Sequence, residues 1–387
     1  MRIAIFTTGI YPYITGGMQK HSYYLAKYLA KNKIYVDLYH YVLCDQSLVE
    51  NLEGFDKEEL EYITNFCFHF ERLGRFPGHY IVESYNISKR YYEVFLDNNN
   101  NVDFVYAQGF SGWYYAKKKY YGEKLPKIGV NFHGLEMFQR ASSIKSKLEQ
   151  LIFSYPVKQC MFYSDYIYSL GGKLTDLLVG LGYSDKKIIV TPIGIDVTWL
   201  APSVPNTKKS KIRSFVFIGR YEERKGINEL LIVLKGLLDS FEFKFHFIGP
   251  IPENKQIASN QIFYHGLIKD EGVIKDILRK SDIIVVPSHS EGMPTVILEA
   301  MASGCAVIAT DVGAVSEQVD SKNGWVISSG DIALLKSTMV DALRLPEKKL
   351  LKKKNRSIQR IIDKFLWDKV IAETVDNVTK CLCKKKF

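Results

Sequence analysis

Two carboxylates, Glu291 and Glu299, stand eight positions apart in Glu291-Gly292-Met293-Pro294-Thr295-Val296-Ile297-Leu298-Glu299. Ser281-Asp282-Ile283-Ile284-Val285-Val286-Pro287 before them reads as a short apolar strand, and Ser288-His289-Ser290-Glu291-Gly292 as a turn. Pro294 suits the first position of a helix, where its missing N–H costs nothing. Glu291 then lies in the loop and Glu299 in the helix, roughly 7 to 8 Å along the axis from Pro294. Two acids so placed can hold opposite ends of an elongated ligand, and the helix N-terminus between them, with its free N–H groups, suits a phosphate. Any two glutamates at this spacing could instead be a surface acid and an ion-paired helix acid. Their place at the carboxyl side of a strand favours a site.

Three further groups have similar placement. Phe215-Val216-Phe217-Ile218 forms a strand, and Gly219-Arg220 and Lys225-Gly226 lie on the loop leading from it to a helix. A lysine before a helix start opposes the positive dipole end unless an anion sits between them. Arg grips phosphate with a two-pronged fork, and Lys adds a point charge. Thr15-Gly16-Gly17-Met18, between the first strand and first helix, lets backbone approach a ligand closely. It is neither G-x-G-x-x-G nor a P-loop, so nothing supports a dinucleotide or ATP site. Val130-Asn131-Phe132-His133-Gly134 ends a strand on a histidine able to face a ligand. His21 reads as structural or supporting, and His289 has no assigned role. The chain has no Asp-x-Asp pair, no metal-spaced cluster and no G-x-S-x-G elbow, so no metal or cofactor is expected and hydrolase chemistry is disfavoured. Several of the many aromatics of the first half could stack on sugar faces.

The elements that must position these groups alternate short strands with helices, beginning with strand Arg2 to Phe6 and helix Gly17 to Lys31. Strands are expected at Ile34 to His40, Asp103 to Ala107, Lys127 to His133, Tyr166 to Leu170 and Ile188 to Thr191. After a polar, breaker-rich stretch the pattern restarts with Ser214 to Ile218, Phe243 to Ile248, Ile262 to His265, Asp282 to Val286, Ala306 to Thr310 and Trp325 to Ile327. The expectation is an α/β chain of two Rossmann-like, doubly wound parallel-sheet domains facing a central cleft. Domain limits read as 1–201, a linker 202–211, 212–346, and a helical segment 347–387 packing back on the first domain. A length of 387 residues fits two cores, and 47% hydrophobic with 24% charged residues excludes a disordered chain. No run of about 18 apolar residues is present to span a bilayer, and the scattered cysteines read as reduced thiols, so the expected location is cytoplasmic. The net charge of +10 comes from local runs: Lys117-Lys118-Lys119, Lys348-Lys349 with Lys352-Lys353-Lys354, and Lys384-Lys385-Lys386. Without a nucleic-acid-binding signature these are solvated faces or weak contacts to the anionic inner face of the cell membrane.

Taken together, the acid-loop-acid segment, Gly219-Arg220, Lys225-Gly226, Gly16-Gly17 and His133-Gly134 resemble the retaining glycosyltransferases of family 4, which have the GT-B fold. Pro192-Ile193-Gly194-Ile195-Asp196 resembles that family's Asn-Gly-Ile-Asp element, with Ile193 in place of Asn. The resemblance implies a nucleotide-diphosphate sugar, UDP- or GDP-linked, as donor and a glycan or lipid-linked acceptor in bacterial surface polysaccharide assembly. It implies that Glu299 binds the ribose and Glu291 the donor sugar. Gly292, Met293 and Thr295 would offer backbone N–H groups, Arg220 and Lys225 would neutralise the diphosphate, and backbone at Leu267 would meet the base. Gly16 and Gly17 would approach the diphosphate, and His133 the donor sugar. A nucleotide-sugar epimerase, a phosphorylase and a binding protein with a dead site are the competing readings.

Overall fold

A computed structural model describes residues 1–45, 47–74, 78–98, 101–139, 144–202 and 212–383, with backbone only at 144–146. The chain divides into two compact units. The first comprises Met1–Leu170, Thr175–Gly194 and Trp367–Phe387. Its strands are β1 (Arg2–Phe6), β2 (Tyr35–Leu43), β3 (Ile63–Phe70), β4 (Phe104–Gln108), β5 (Lys127–Asn131), β6 (Tyr166–Ser169) and β7 (Ile188–Val190). They form one sheet in the order β3-β2-β1-β4-β5-β6-β7, every pair parallel.

Central strands of such a sheet are covered on both faces and read as unbroken apolar runs; β4, Phe-Val-Tyr-Ala-Gln, is buried at every position. Sequence reading missed β3, an edge strand only half covered, whose Asn65 and His69 interrupt the apolar pattern. Asn65 is there for a reason of its own: its Oδ1 lies 2.8 Å from His40 Nε2, and its Nδ2 donates to the Val49 carbonyl at 2.6 Å. The aromatics of this unit are mainly core. Phe6 is ringed by Tyr39, Tyr91, Phe95 and Tyr115 at centroid distances of 4.9 to 6.0 Å. Helix Trp367–Cys383 closes the unit, its first residue stacking on Tyr24 and Tyr28 of helix Gly17–Lys31 at 5.8 and 6.0 Å. Burying such an indole stabilises by about 3 kcal/mol.

The second unit is Gly171–Leu174 with Ile195–Leu366. Strands β8 (Arg213–Ile218), β9 (Phe243–Ile248), β10 (Ile262–Tyr264), β11 (Ile283–Val286), β12 (Ala306–Thr310) and β13 (Gly324–Ile327) run parallel in the order β10-β9-β8-β11-β12-β13. Both sheets are therefore doubly wound. In each, the order reverses beside the strand that opens the unit, next to β1 and next to β8, and ligands of open α/β sheets bind outside the strand ends there.

Two expected boundaries are corrected. Residues 195–201 pack in the second unit, not the first: Ile195 N–H donates to the Phe365 carbonyl at 2.7 Å, and Ala201 N–H to the Ala302 carbonyl at 2.8 Å. The C-terminal segment is not one body, because Glu347–Arg360 and the π-turn Ile361–Phe365 belong to the second unit and only Trp367 onward to the first. Apart from Pro202, the expected linker lies outside the described residues, as does Lys384-Lys385-Lys386. The run 348–354 is only partly a solvated face. Lys354 is buried on Asp282 at 3.0 Å, and Lys353 lies 4.5 Å from the Trp325 ring centroid while donating to the Ser321 and Gly324 carbonyls.

Candidate functional site

In the second unit the loops leaving β8 and β11 lie side by side, since those strands are neighbours in the sheet. They are tied by backbone, His289 N–H donating to the Arg224 carbonyl at 2.7 Å. Glu291 is buried, and its Oε1 accepts from Lys225 Nζ at 2.6 Å and from Ser288 Oγ at 2.8 Å. Arg224 Nη1 stands 3.8 Å from the other carboxylate oxygen. Glu222 bridges onward, accepting from Arg224 Nε and Arg220 Nε, each at 2.9 Å. Three cations and two acids thus share one network with an excess positive charge, and Arg220, its side chain 70% exposed, stands at the open end. Such an arrangement can take up an anion without importing a new counter-ion. Sequence reading named Arg220, Lys225 and Glu291, and the structure brings all three together. It missed Arg224, whose approach to Glu291 needs the two loops adjacent, and Ser288, which bonds Glu291 from three residues earlier on the same loop.

Lys225 was expected to oppose a helix dipole. In fact Glu223–Lys225 is a 3₁₀ turn, helix Ile227–Lys235 starts beyond Gly226, and the ammonium turns to Glu291. Gly226 has φ 66°, and a Cβ there would meet the Pro287 carbonyl oxygen at 1.9 Å. Only glycine lets the β8 loop pass so close under the end of β11. Gly313, φ 54°, does the same from the loop after β12, where a Cβ would fall 2.2 Å from the Glu291 carbonyl. Its neighbour Ala314 donates to the Gly292 carbonyl at 2.7 Å.

Pro294 is not the first helical residue. It takes the cap position with extended ψ of 113°, and the helix runs Thr295–Ala302. Gln318 Nε2 donates to its carbonyl at 3.1 Å. Gly292, Thr295 and half-buried Glu299 follow one another from the loop into this helix, with Met293 buried among them. Leu267 is 68% exposed on the loop leaving β10. His289, unassigned from sequence, places Nε2 2.7 Å from Glu229 Oε1 and Nδ1 3.2 Å from Ser329 Oγ, bracing the same loop. Among the described residues, no three His, Cys, Asp or Glu side chains gather as metal ligands.

The first unit presents a different chemistry. His133 sits in the left-handed region at φ 57°, a conformation costing a non-glycine residue on the order of 1 kcal/mol, held by its N–H on Asn131 Oδ1 at 2.9 Å. Its Nε2 lies 2.6 Å from Gln108 Oε1, and Gln108 Nε2 lies 2.9 Å from His21 Nδ1. An amide has one donating and one accepting end, so the two imidazoles must play opposite parts, one donating and one accepting. Burial drives the same way, holding His133 down to about 4 and His21 well below the ordinary histidine value. Both rings are neutral near pH 7. Gln108, ending the wholly buried strand β4, had no sequence signal to mark it. Gly16 and Gly17 are exposed at the start of helix Gly17–Lys31, and a Cβ on Gly17 would meet nothing within 4 Å.

Residues 212–344 match the family model described as Glycosyl transferases group 1. That stretch is similar to the group 1 glycosyltransferases. The matched stretch spans the whole β8 to β13 sheet and every charged residue of the network above. A Bacillus subtilis protein provisionally named a teichuronic acid biosynthesis glycosyltransferase is 40% identical over 104 residues, which is 27% of this chain and 26% of that relative. The chain thus spans about a quarter of that relative's length. An uncharacterized glycosyltransferase of Methanocaldococcus jannaschii is 25% identical over 369 residues, 93% of each chain. Among solved structures, sucrose-phosphate synthase from Thermosynechococcus elongatus superposes with a TM-score of 0.78 at 15% identity, covering 98% of both chains. The fold is GT-B.

Proposed function

We propose that this chain is a retaining, metal-independent glycosyltransferase, moving a sugar from a UDP- or GDP-sugar to a glycan or lipid-linked acceptor in bacterial surface polysaccharide assembly. The observation that carries the reading is the Arg220–Glu222–Arg224–Glu291–Lys225 network at the strand-order reversal of the second sheet. The group 1 match and the names of the relatives support it.

In this reading Glu299 takes the ribose hydroxyls and Glu291 a donor-sugar hydroxyl. Backbone N–H groups of Gly292, Met293 and Thr295 face the sugar and phosphates, and backbone at Leu267 meets the base. Arg220 and Lys225 act on the leaving group. As the C1–O bond to the diphosphate breaks, its electron pair departs on phosphate oxygen. The cations and the N-terminus of helix Thr295–Ala302 stabilise that growing charge. The acceptor oxygen bonds C1 on the face the phosphate leaves, and its proton passes to the departing phosphate. In the first unit, neutral His133 offers a hydrogen-bonding nitrogen to a sugar hydroxyl, and Gly16 and Gly17 offer open backbone to an anion.

The test is a thermal-shift panel of nucleoside diphosphates and their sugars with and without chelator, followed by NMR of the product's anomeric carbon. Stabilisation by one diphosphate irrespective of chelator, with retained configuration, is expected. Inverted product, or binding lost with chelator, overturns the retaining or the metal-free part respectively.

A further inference from the structure

Helix Ile144–Tyr163 of the first unit is apolar on two opposite faces. Its inner face is core, with Val157, Cys160 and Met161 fully buried. Its outer face repeats at helical spacing through Leu148, Leu151, Ile152, Tyr155 and Phe162, and all five are exposed, Leu151 and Tyr155 by 65% and 67%. A helix apolar all round belongs in an interior, and a contiguous exposed apolar face marks a contact surface. At its C-terminal end the face widens. Exposed Tyr120 packs edgewise and tilted among Tyr121, Phe162 and Tyr163 at 5.2 to 5.4 Å, and Tyr121 is 69% exposed.

The charge around this face is mainly positive. Over 113–124, 147–163 and 183–187, lysines outnumber acids eight to three. Lys187 lies 6.0 Å from the Phe162 ring centroid and donates to the Phe162 carbonyl at 2.8 Å. Lys158 projects from the same helix, 5.5 Å from the Phe138 ring centroid. Two lysines nearby are already engaged, Lys118 with Glu123 at 3.0 Å and Lys119 with Asp165 at 3.7 Å, so part of the excess is spent internally. An aliphatic stripe, a tyrosine cluster at one end and a lysine surplus are together the composition of a helix lying in the headgroup layer of an anionic bilayer.

We infer that the outer face of helix Ile144–Tyr163, with Tyr120 and Tyr121, docks this chain on anionic lipid. A protein partner of ordinary composition would not call for the lysine surplus. The inference does not depend on glycosyl transfer, and it is read without any transfer step, so either reading can fail alone.

The experiment is co-sedimentation of the full chain with phosphatidylcholine vesicles, with and without about 30% phosphatidylglycerol. Binding to the anionic vesicles only is expected, weakened about tenfold or more by the double substitution Leu151→Glu with Tyr155→Glu. High salt, about 0.5 M, should weaken it as well. Both substituted positions are exposed, so circular dichroism and the unfolding midpoint should match the parent chain. The triple substitution Lys348→Glu, Lys349→Glu and Lys352→Glu, on the other unit, should leave binding unchanged. Equal binding of the double variant and the parent, or no binding to anionic vesicles, overturns the inference. So does a dimer in size-exclusion chromatography that the double variant dissolves, which would give the face to a second copy of the chain.

Discussion

The two sheets share their strand order through six strands, but the loops at their carboxyl ends handle polarity in contrasting ways. After β8 and β11 a buried carboxylate is matched by cations, and glycines with positive φ press backbone on backbone. After β4 and β5 the polar groups are neutral, an amide between two imidazoles, and the exposed Gly17 has empty space before it. The same topology therefore positions a charged, tightly packed site in one unit and an uncharged hydrogen-bonding one in the other. Charge compensation suits groups that meet a phosphate, and neutrality suits groups that meet hydroxyls.

The sharpest way to break that contrast is Lys225→Ala. It removes the 2.6 Å contact to the buried Glu291 carboxylate and one of the three cations of the network, so kcat/KM for transfer should fall about 10³-fold, with the fold retained by circular dichroism. Full activity would remove the cations from the mechanism. Next come the glycines. Gly226→Ala should cost about 3 kcal/mol or more in denaturant unfolding, because its Cβ meets a backbone carbonyl at 1.9 Å. Gly17→Ala should stay within about 0.5 kcal/mol. A loss of transfer in that variant at unchanged stability would place a ligand, not packing, at Gly17.

The neutral side is tested by acid. Burial holds His133 and His40 down to about 4, against an ordinary value near 6.5. Their neutral forms are the folded ones, so their contribution is fully present above about pH 6.5 and is lost as pH falls toward 4. Each contributes up to about 3 kcal/mol. Unfolding midpoints between pH 7 and 4.5 should show the decline, and His133→Asn should make it shallower by one group's share, with that of His40 remaining; an unchanged slope would mean that His133 is not held neutral. Gln108→Leu strands a nitrogen on each imidazole and should cost about 2 kcal/mol. If Gln108 orients His133 for the reaction, kcat should drop with KM little changed, and Gln108→Asn should not restore it because the shorter amide cannot span both rings. Smallest of all, Leu267→Ala should leave stability within about 0.5 kcal/mol and nucleotide binding in calorimetry little changed, because it is the backbone at Leu267 that meets the base; a large loss of affinity would give that part to the side chain instead.

Much of the architecture was legible because parallel strands are buried on both faces and announce themselves as apolar runs; helix Gly17–Lys31 and strands β1, β9 and β12 fall where the sequence puts them. What escaped was information held between segments. Edge strand β3 lacks a full apolar run because one side has no partner, and its Asn65 serves His40 from another strand. Glu291, Arg220 and Lys225 are conspicuous as charges beside glycines, but the pairing of Lys225 with Glu291 is visible only when β8 and β11 become neighbours. Gln108 looks like an ordinary strand end until His21 and His133, from different elements, arrive at either side of it. Lys353 and Lys354 look like solvent charges in a basic run, and only the fold shows them set against Trp325 and Asp282.

The return of helix Trp367–Cys383 to the first unit has a consequence for synthesis. The nascent first unit emerges from the ribosome without its closing helix, and Tyr24 and Tyr28 wait uncovered while the whole second unit is made. At translation speeds of about 5 to 20 residues per second, that delay is on the order of 10 to 40 s. The earlier-made half therefore completes its core only after the later-made half has been synthesised.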